Sequence, residues 1–326
     1  MKRRQALFGI LGLGVGLSVA LESNAQRAAG SPVIGLLDAG ETLPWWTAFR
    51  QQMRELGYAE GKNVVYESRF ARGDLGRLPA LAQELIRINV SVIVTIGTAA
   101  ALAAKRATDT VPIVMGNGAD PVSQGLAVSL ARPGGNVTGV SSVAADLTGK
   151  RLQLLREVLP KLSRLAVLWQ MDNSISALTI RELEAVTRSS KIVLQNMGVR
   201  TRGEMDVAFA TAIREHAEAV FVVLTPLTND ELQHIADLAL RHRLPSVSGT
   251  SDFVAAGGLA SYGPSYSNLL RRAAVYVDKI LKGAKPGNLP IEQPTTFELV
   301  INRNTAKTLR LTIPQSLLLR ADRVIQ

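Results

Sequence analysis

Arg164–Trp169 (RLAVLW), Ile192–Asn196 (IVLQN), Ala219–Leu224 (AVFVVL) and Pro245–Ser248 (PSVS) begin 28, 27 and 26 residues apart. All four are short, and the spaces between them read as helices at Ile175–Ser189, Met205–Glu215 and Glu231–Arg241. Strands alternating with helices at this period predict a parallel sheet covered by helices on both faces.

Toward the N-terminus the same pattern recurs. Val33–Leu37, Val64–Phe70, Val90–Ile96 and Pro112–Met115 read as strands. Helices are expected over Trp46–Leu56, Leu75–Ile88 and Ala99–Thr108. Leu78, Leu81, Leu85 and Ile88 recur at spacings of three and four, which is one helical face. Two such rows in one chain predict an α/β protein of two Rossmann-like lobes. A length of 326 residues agrees with two domains. Val137–Ser142 joins the rows and reads as an extended crossover. Beyond the second row come a strand at Leu259–Tyr262, a helix at Ser267–Leu281, prolines 286, 290 and 294, and a last extended piece at Thr296–Ile301. The chain thus has enough material to pass between lobes more than once, which makes a hinge and a cleft.

The first residues read as a leader. Lys2, Arg3 and Arg4 precede an uncharged run from Gln5 to Leu21, and Ser23-Asn24-Ala25 offers small residues for a signal peptidase. The expectation is a cleaved signal peptide over 1–25 and a periplasmic mature protein. A run of 17 residues with four glycines is a poor membrane span, so a retained anchor is the weaker reading. The chain has no cysteine, which excludes disulfides, thiolate metal sites, thiol nucleophiles and lipidation at cysteine. Its formal charge of +10 is spread along the chain without a clustered basic face, so no nucleic-acid partner is expected.

No catalytic constellation emerges. His216, His234 and His242 lack ligand spacing for zinc, and no Gly-x-Ser-x-Gly elbow exists. We expect no catalytic residue, no metal and no cofactor. Polar residues gather instead at strand ends, where open parallel sheets bind ligands. After the first strand comes Asp38 through Trp45 and Trp46; after the third, Gly97-Thr98 opens an alanine-rich helix. Thr98 reads either as a helix cap or, with the free N–H groups behind it, as an anion contact. Asn117 and Asp120 follow the fourth strand, and Asp120 before Pro121 is also a helix-start signal. Ser141 lies in the crossover. In the second lobe the corresponding candidates are Asp172, Thr225, Thr250 and Asp252. Thr228 with Glu231 reads as a capping box. Trp169 and Tyr262 stand at strand ends, where an amphipathic ring covers a ligand or packs a helix.

Further stretches carry a resemblance: Arg132–Val140 (RPGGNVTGV), Gly257–Pro264 (GGLASYGP), Arg271–Gly283 (RRAAVYVDKILKG) and Ile313–Asp322 (IPQSLLLRAD), with Pro286–Pro294 and the Gly97-Thr98 and Asp120-Pro121 loops. The chain resembles, over essentially its whole length, the solute-binding proteins of ATP-binding-cassette importers with a periplasmic type I fold, some of which bind aromatic amino acids. That resemblance implies three crossovers, expected near 138–144, 261–265 and 290–296, and a ligand held between the lobes. It implies an N-terminal lobe of 31–142 with 263–290 and a C-terminal lobe of 143–262 with 291–326. Relatives often carry an Asn-Pro-rich loop where this chain has Gln170–Ser174, and the loop Asp38–Trp46 is its own, so ligand identity does not carry over.

The leading expectation is therefore a monomeric periplasmic protein that closes on a small solute, such as an amino acid or related amphipathic molecule, and presents it to a membrane permease with its ATPase subunits. A ligand sensor docking to a membrane signalling partner would use the same lobes, and an exported α/β enzyme is the outsider. A cytoplasmic transcription regulator does not fit the leader, nor the lack of a helix-turn-helix before residue 31.

Overall fold

The computed structural model describes residues 30–142, 147–188 and 190–326; the leader lies outside the described residues. The first sheet holds β1 (Val33–Asp38), β2 (Val65–Phe70), β3 (Val92–Ile96), β4 (Ile113–Asn117) and β5 (Val137–Gly139), in the order β2-β1-β3-β4-β5. All its pairings are parallel. β3 (VIVTI) is buried at every position, because helices cover both faces of a central parallel strand. β2, at the edge, is only half-buried throughout.

One face of this sheet is covered by α2 (Leu78–Arg87) and α3 (Thr98–Ala107). Leu78, Leu81, Ala82 and Leu85 face inward on α2, and the alanines of α3 let the two helices pack closely. The other face is covered by α1 (Leu43–Glu55) and by α10 (Tyr266–Leu281), which returns from far along the chain. Trp46, Phe49 and Met53 of α1 meet Leu269, Leu270, Ala273 and Val277 of α10 there.

The second sheet is larger. It holds β6 (Arg164–Gln170), β7 (Val193–Val199), β8 (Ala219–Val222), β9 (Ser246–Ser248), β10 (Ala260–Gly263), β11 (Glu298–Asn302) and β12 (Arg323–Ile325). Their order is β12-β11-β10-β9-β8-β6-β7. Its pairings are parallel except β10 with β11, a finding the expectation of a parallel sheet did not include. α4 (Thr148–Val158) and α5 (Ser174–Thr187) pack on one face. α6 (Met205–Arg214), α7 (Pro226–Asp230), α8 (Leu232–Arg241) and α9 (Ser251–Ala255) lie toward the other.

The chain passes between the two bodies three times: from β5 to α4, from β10 to α10, and from the turn at Pro286–Asn288 to β11. Two of these passages are bonded to each other. Ser141 N–H donates to Glu292 O at 2.8 Å, and Glu292 N–H donates to Gly139 O at 3.0 Å. The segment Val137–Ser142 is thus more than a connector, since its first three residues complete the first sheet. Gly139 is obligatory there: its φ is +118°, and a Cβ would stand 2.3 Å from the Met115 carbonyl oxygen.

Candidate functional site

The carboxyl ends of β1, β3 and β4 face those of β6 and β8 across a cleft of about 570 Å³, measured out to its mouth. From the first body Asp38, Trp45, Gly97, Thr98 and Asn117 line it, together with Tyr266 at the start of α10. From the second come Asn173, Ile175, Thr225 and Asn229. Of the residues singled out from sequence, the cleft lining thus contains Asp38, Trp45, Gly97, Thr98, Asn117 and Thr225.

Asp38 organises its own loop. One carboxylate oxygen accepts from Gly40 N–H at 2.8 Å. The other accepts from Thr42 N–H at 3.0 Å, Thr42 Oγ1 at 2.6 Å and Trp46 Nε1 at 2.9 Å. Burial pushes the Asp38 carboxyl up from its ordinary value, and the hydrogen bonds from Thr42, Gly40 and Trp46 pull against that rise. Trp46 therefore serves beneath the loop and does not line the cleft.

Trp45 lies across the top. Its ring stacks on Tyr266 with centroids 4.6 Å apart, and its Nε1 donates to Asp252 of the second body at 2.8 Å. Asp252 and Thr250 stand at the start of α9, where Thr250 Oγ1 accepts from Asp252 N–H. Their reach to the cleft is through Trp45. Tyr266 is enclosed, and burial raises its phenol above its ordinary value. Arg151 of α4 stands beside it and donates Nε to Tyr262 O at 2.7 Å; burial lowers the guanidinium's own value.

Thr98 Oγ1 accepts from Ala119 N–H at 2.9 Å, which leaves its O–H free to turn toward the cleft. Asn117 Oδ1 accepts from Gly97 N–H at 2.7 Å and fixes the loop in front of α3. In the second body Thr225 is the N-cap of α7 and forms a reciprocal box with Thr228. The box expected between Thr228 and Glu231 is thus shifted by one turn, and Asn229 then comes into the lining.

The remaining candidates sit elsewhere. Asp120 is exposed with φ +43°, and its carboxylate accepts from Ser123 N–H, closing a turn rather than starting a helix. Asp172 is exposed beside Arg200. Trp169 donates Nε1 to Asn196 on the neighbouring strand. Tyr262 packs against Phe297. Ser141 is buried in the crossover, where its N–H is held by Glu292. Sequence reading passed over Asn229 and Tyr266. Asn229 follows Thr225 by one helical turn, which is the signal that could have placed it; Tyr266 reaches the cleft only because the chain crosses back.

A model of the ABC transporter substrate-binding protein family matches residues 44–325. The chain belongs to this family. Among related sequences, a "Tyrosine-binding protein" of Clostridioides difficile (strain R20291) is 26% identical over 261 residues, covering 80% of this chain and 75% of that protein. A solved structure of a conserved domain protein from Vibrio cholerae superposes with TM-score 0.83 at 26% identity, covering 90% and 99% of the two chains. The ABC domain in complex with L-Trp from Streptococcus pneumonia shares the fold, with TM-score 0.82 at 24% identity over 90% and 100%. An ABC transporter substrate-binding protein with these two lobes is an extracytoplasmic, non-catalytic component of an import system that binds a small solute. Among the described residues no His, Asp and Glu cluster could hold a metal ion.

Proposed function

We propose that this protein is a periplasmic receptor for an amino-acid-like zwitterion, which it delivers as a monomer to a membrane permease and its ATPase subunits. The observation that carries the reading is the polarity of the cleft. The lining includes both the Asp38 carboxylate and the Thr98 hydroxyl, the latter at the start of α3. A buried ammonium requires a paired carboxylate, and a helix start favours the carboxyl group. Trp45 and Tyr266, stacked on each other, supply one apolar wall for the solute's side chain. A relative named for tyrosine binding supports the amino-acid class.

In this reading the lobes comprise 31–142 with 263–290, and 143–262 with 291–326, and the solute favours the closed arrangement by binding it more tightly than the open one. Mature protein should begin at Gln26, which mass spectrometry of the exported form checks; an intact Met1 refutes the cleavage. Native mass spectrometry of purified protein should reveal a co-purified solute bearing both amino and carboxyl groups. Calorimetry with that solute should show at least a tenfold weaker Kd for Thr98→Ala. A solute without an anionic group, or unchanged binding by that variant, refutes the proposed site.

A further inference from the structure

The rim of the cleft carries a contact that the solute reading does not use. Asp230, the last residue of α7, comes from the second body and meets the loop after β1. Its Oδ1 accepts from Glu41 N–H at 2.9 Å. Gly40 makes this approach possible, because a Cβ there would stand 2.8 Å from the same oxygen. The two flanking N–H groups, of Gly40 and Thr42, hold Asp38. Asp230 therefore grips, from across the cleft, the short loop that sets the Asp38 carboxylate.

Its charged surroundings are lopsided. Asp38 and Glu41 face Asp230 from the loop, and Glu231 follows it in the chain. The nearby cations are engaged elsewhere: Arg72 with Glu41 at 2.7 Å, and Arg202 with Glu231 at 2.9 Å. A carboxylate brought into this position by closure meets Asp38 and Glu41 in addition to its own neighbour Glu231, and takes a proton more readily than one left in water.

We propose that Asp230 is an interlobe latch through which closure takes up a proton, so that mild acidity favours the closed, solute-holding form. The proposal rests on the reading of this cleft as one that closes on a solute. Burial first, and then the charges of Asp38, Glu41 and Glu231, push the Asp230 carboxyl up from 3.8 to about 6, against the pull of the Glu41 N–H. An open molecule leaves Asp230 near its ordinary value, so protons are bound on closing between pH 7 and pH 4. Linkage between values of 3.8 and about 6 gives at most about a tenfold gain in the closed-to-open ratio from pH 7.5 to pH 5. Asp230 keeps part of its surface in water, which screens its neighbours and brings the expected gain to about three- to tenfold.

The test uses the absence of native cysteine. Spin labels at Glu55→Cys and Val207→Cys, both exposed and one on each body, report the interlobe distance in full-length mature protein without added solute. The parent should shift toward the short distance by that factor between pH 7.5 and pH 5. Asp230→Asn keeps an acceptor for Glu41 N–H and loses the charge, so it should populate the short distance equally at both pH values. Gly40→Ala should favour the long distance at both. Calorimetry with L-tyrosine as probe should give the same three- to tenfold tightening in the parent and none in Asp230→Asn. A distance distribution in the parent that ignores pH, or an equal shift in Asp230→Asn, overturns the latch. Failure of L-tyrosine to bind speaks against the amino-acid reading, while the distances still decide the latch.

Discussion

Trp45 joins the two bodies through one measurable bond, and its removal has a calculable effect on solute binding. Trp45→Phe keeps an aromatic ring over Tyr266 and deletes the Nε1 donor that reaches Asp252 at 2.8 Å. A hydrogen bond to a charged acceptor contributes about 1.5–3 kcal/mol when enclosed. Asp252 is half-buried, and both partners find water when the cleft opens, so about 1–1.5 kcal/mol remains. That amount corresponds to a Kd about five- to tenfold weaker. Trp45→Phe also loses ring area, which a double-mutant cycle with Asp252→Ala subtracts. Calorimetry with the co-purified solute on all four proteins gives the coupling. A coupling of about 1 kcal/mol or more is expected. Additive effects within about 0.3 kcal/mol refute the claim that this bond forms on closure.

Other perturbations test the parts that position the cleft. Asp38→Ala orphans four donors and should lower stability by about 2–4 kcal/mol in denaturant unfolding, with solute binding lost. Gly139→Ala drives a methyl group into the Met115 backbone at positive φ; a loss of about 3–5 kcal/mol, or failure to accumulate folded protein, is expected from circular dichroism. Arg272 holds Glu292 through two hydrogen bonds and depresses its carboxyl below the ordinary 4.5. The stabilisation is therefore present above pH 4.5 and fades as pH falls through the depressed value. Thermal melts of Glu292→Gln should lie below the parent at pH 7 and approach it near pH 3.

Much of this architecture is legible in the sequence. β3 and β8 are buried on both faces, so they appear as nearly continuous apolar runs, VIVTI and AVFV, and the helix periods follow from packing on them. α4 is not legible as a helix because Arg151 is buried in the middle of its inward face, which breaks the apolar stripe. β5 looked like a linker because three residues carry no periodicity, and its place depends on pairing with β4. The reversal of β11 against β10 is equally silent, since alternation along a strand has no direction. The strand-end rule brought Asp38, Gly97, Thr98, Asn117 and Thr225 to one cleft. It says nothing of loop direction, which is why Asp120 and Asp172 lie outside the lining, each satisfied by a local partner.

The bonded pair of passages has a mechanical consequence. Gly139 to Ser141 and Glu292 run side by side as a two-stranded ribbon, tied by the amides of Ser141 and Glu292. A ribbon of this kind flexes readily about an axis lying across its face, but it resists shear along its length, because sliding would break its rungs. The third passage, Gly263 to Ser265, runs apart from that pair in sequence and adds a further tether against twisting. Tethers of this kind favour one soft rotation of the bodies over the others. A solute is then judged by a single angle, the one at which its bulk stops the swing.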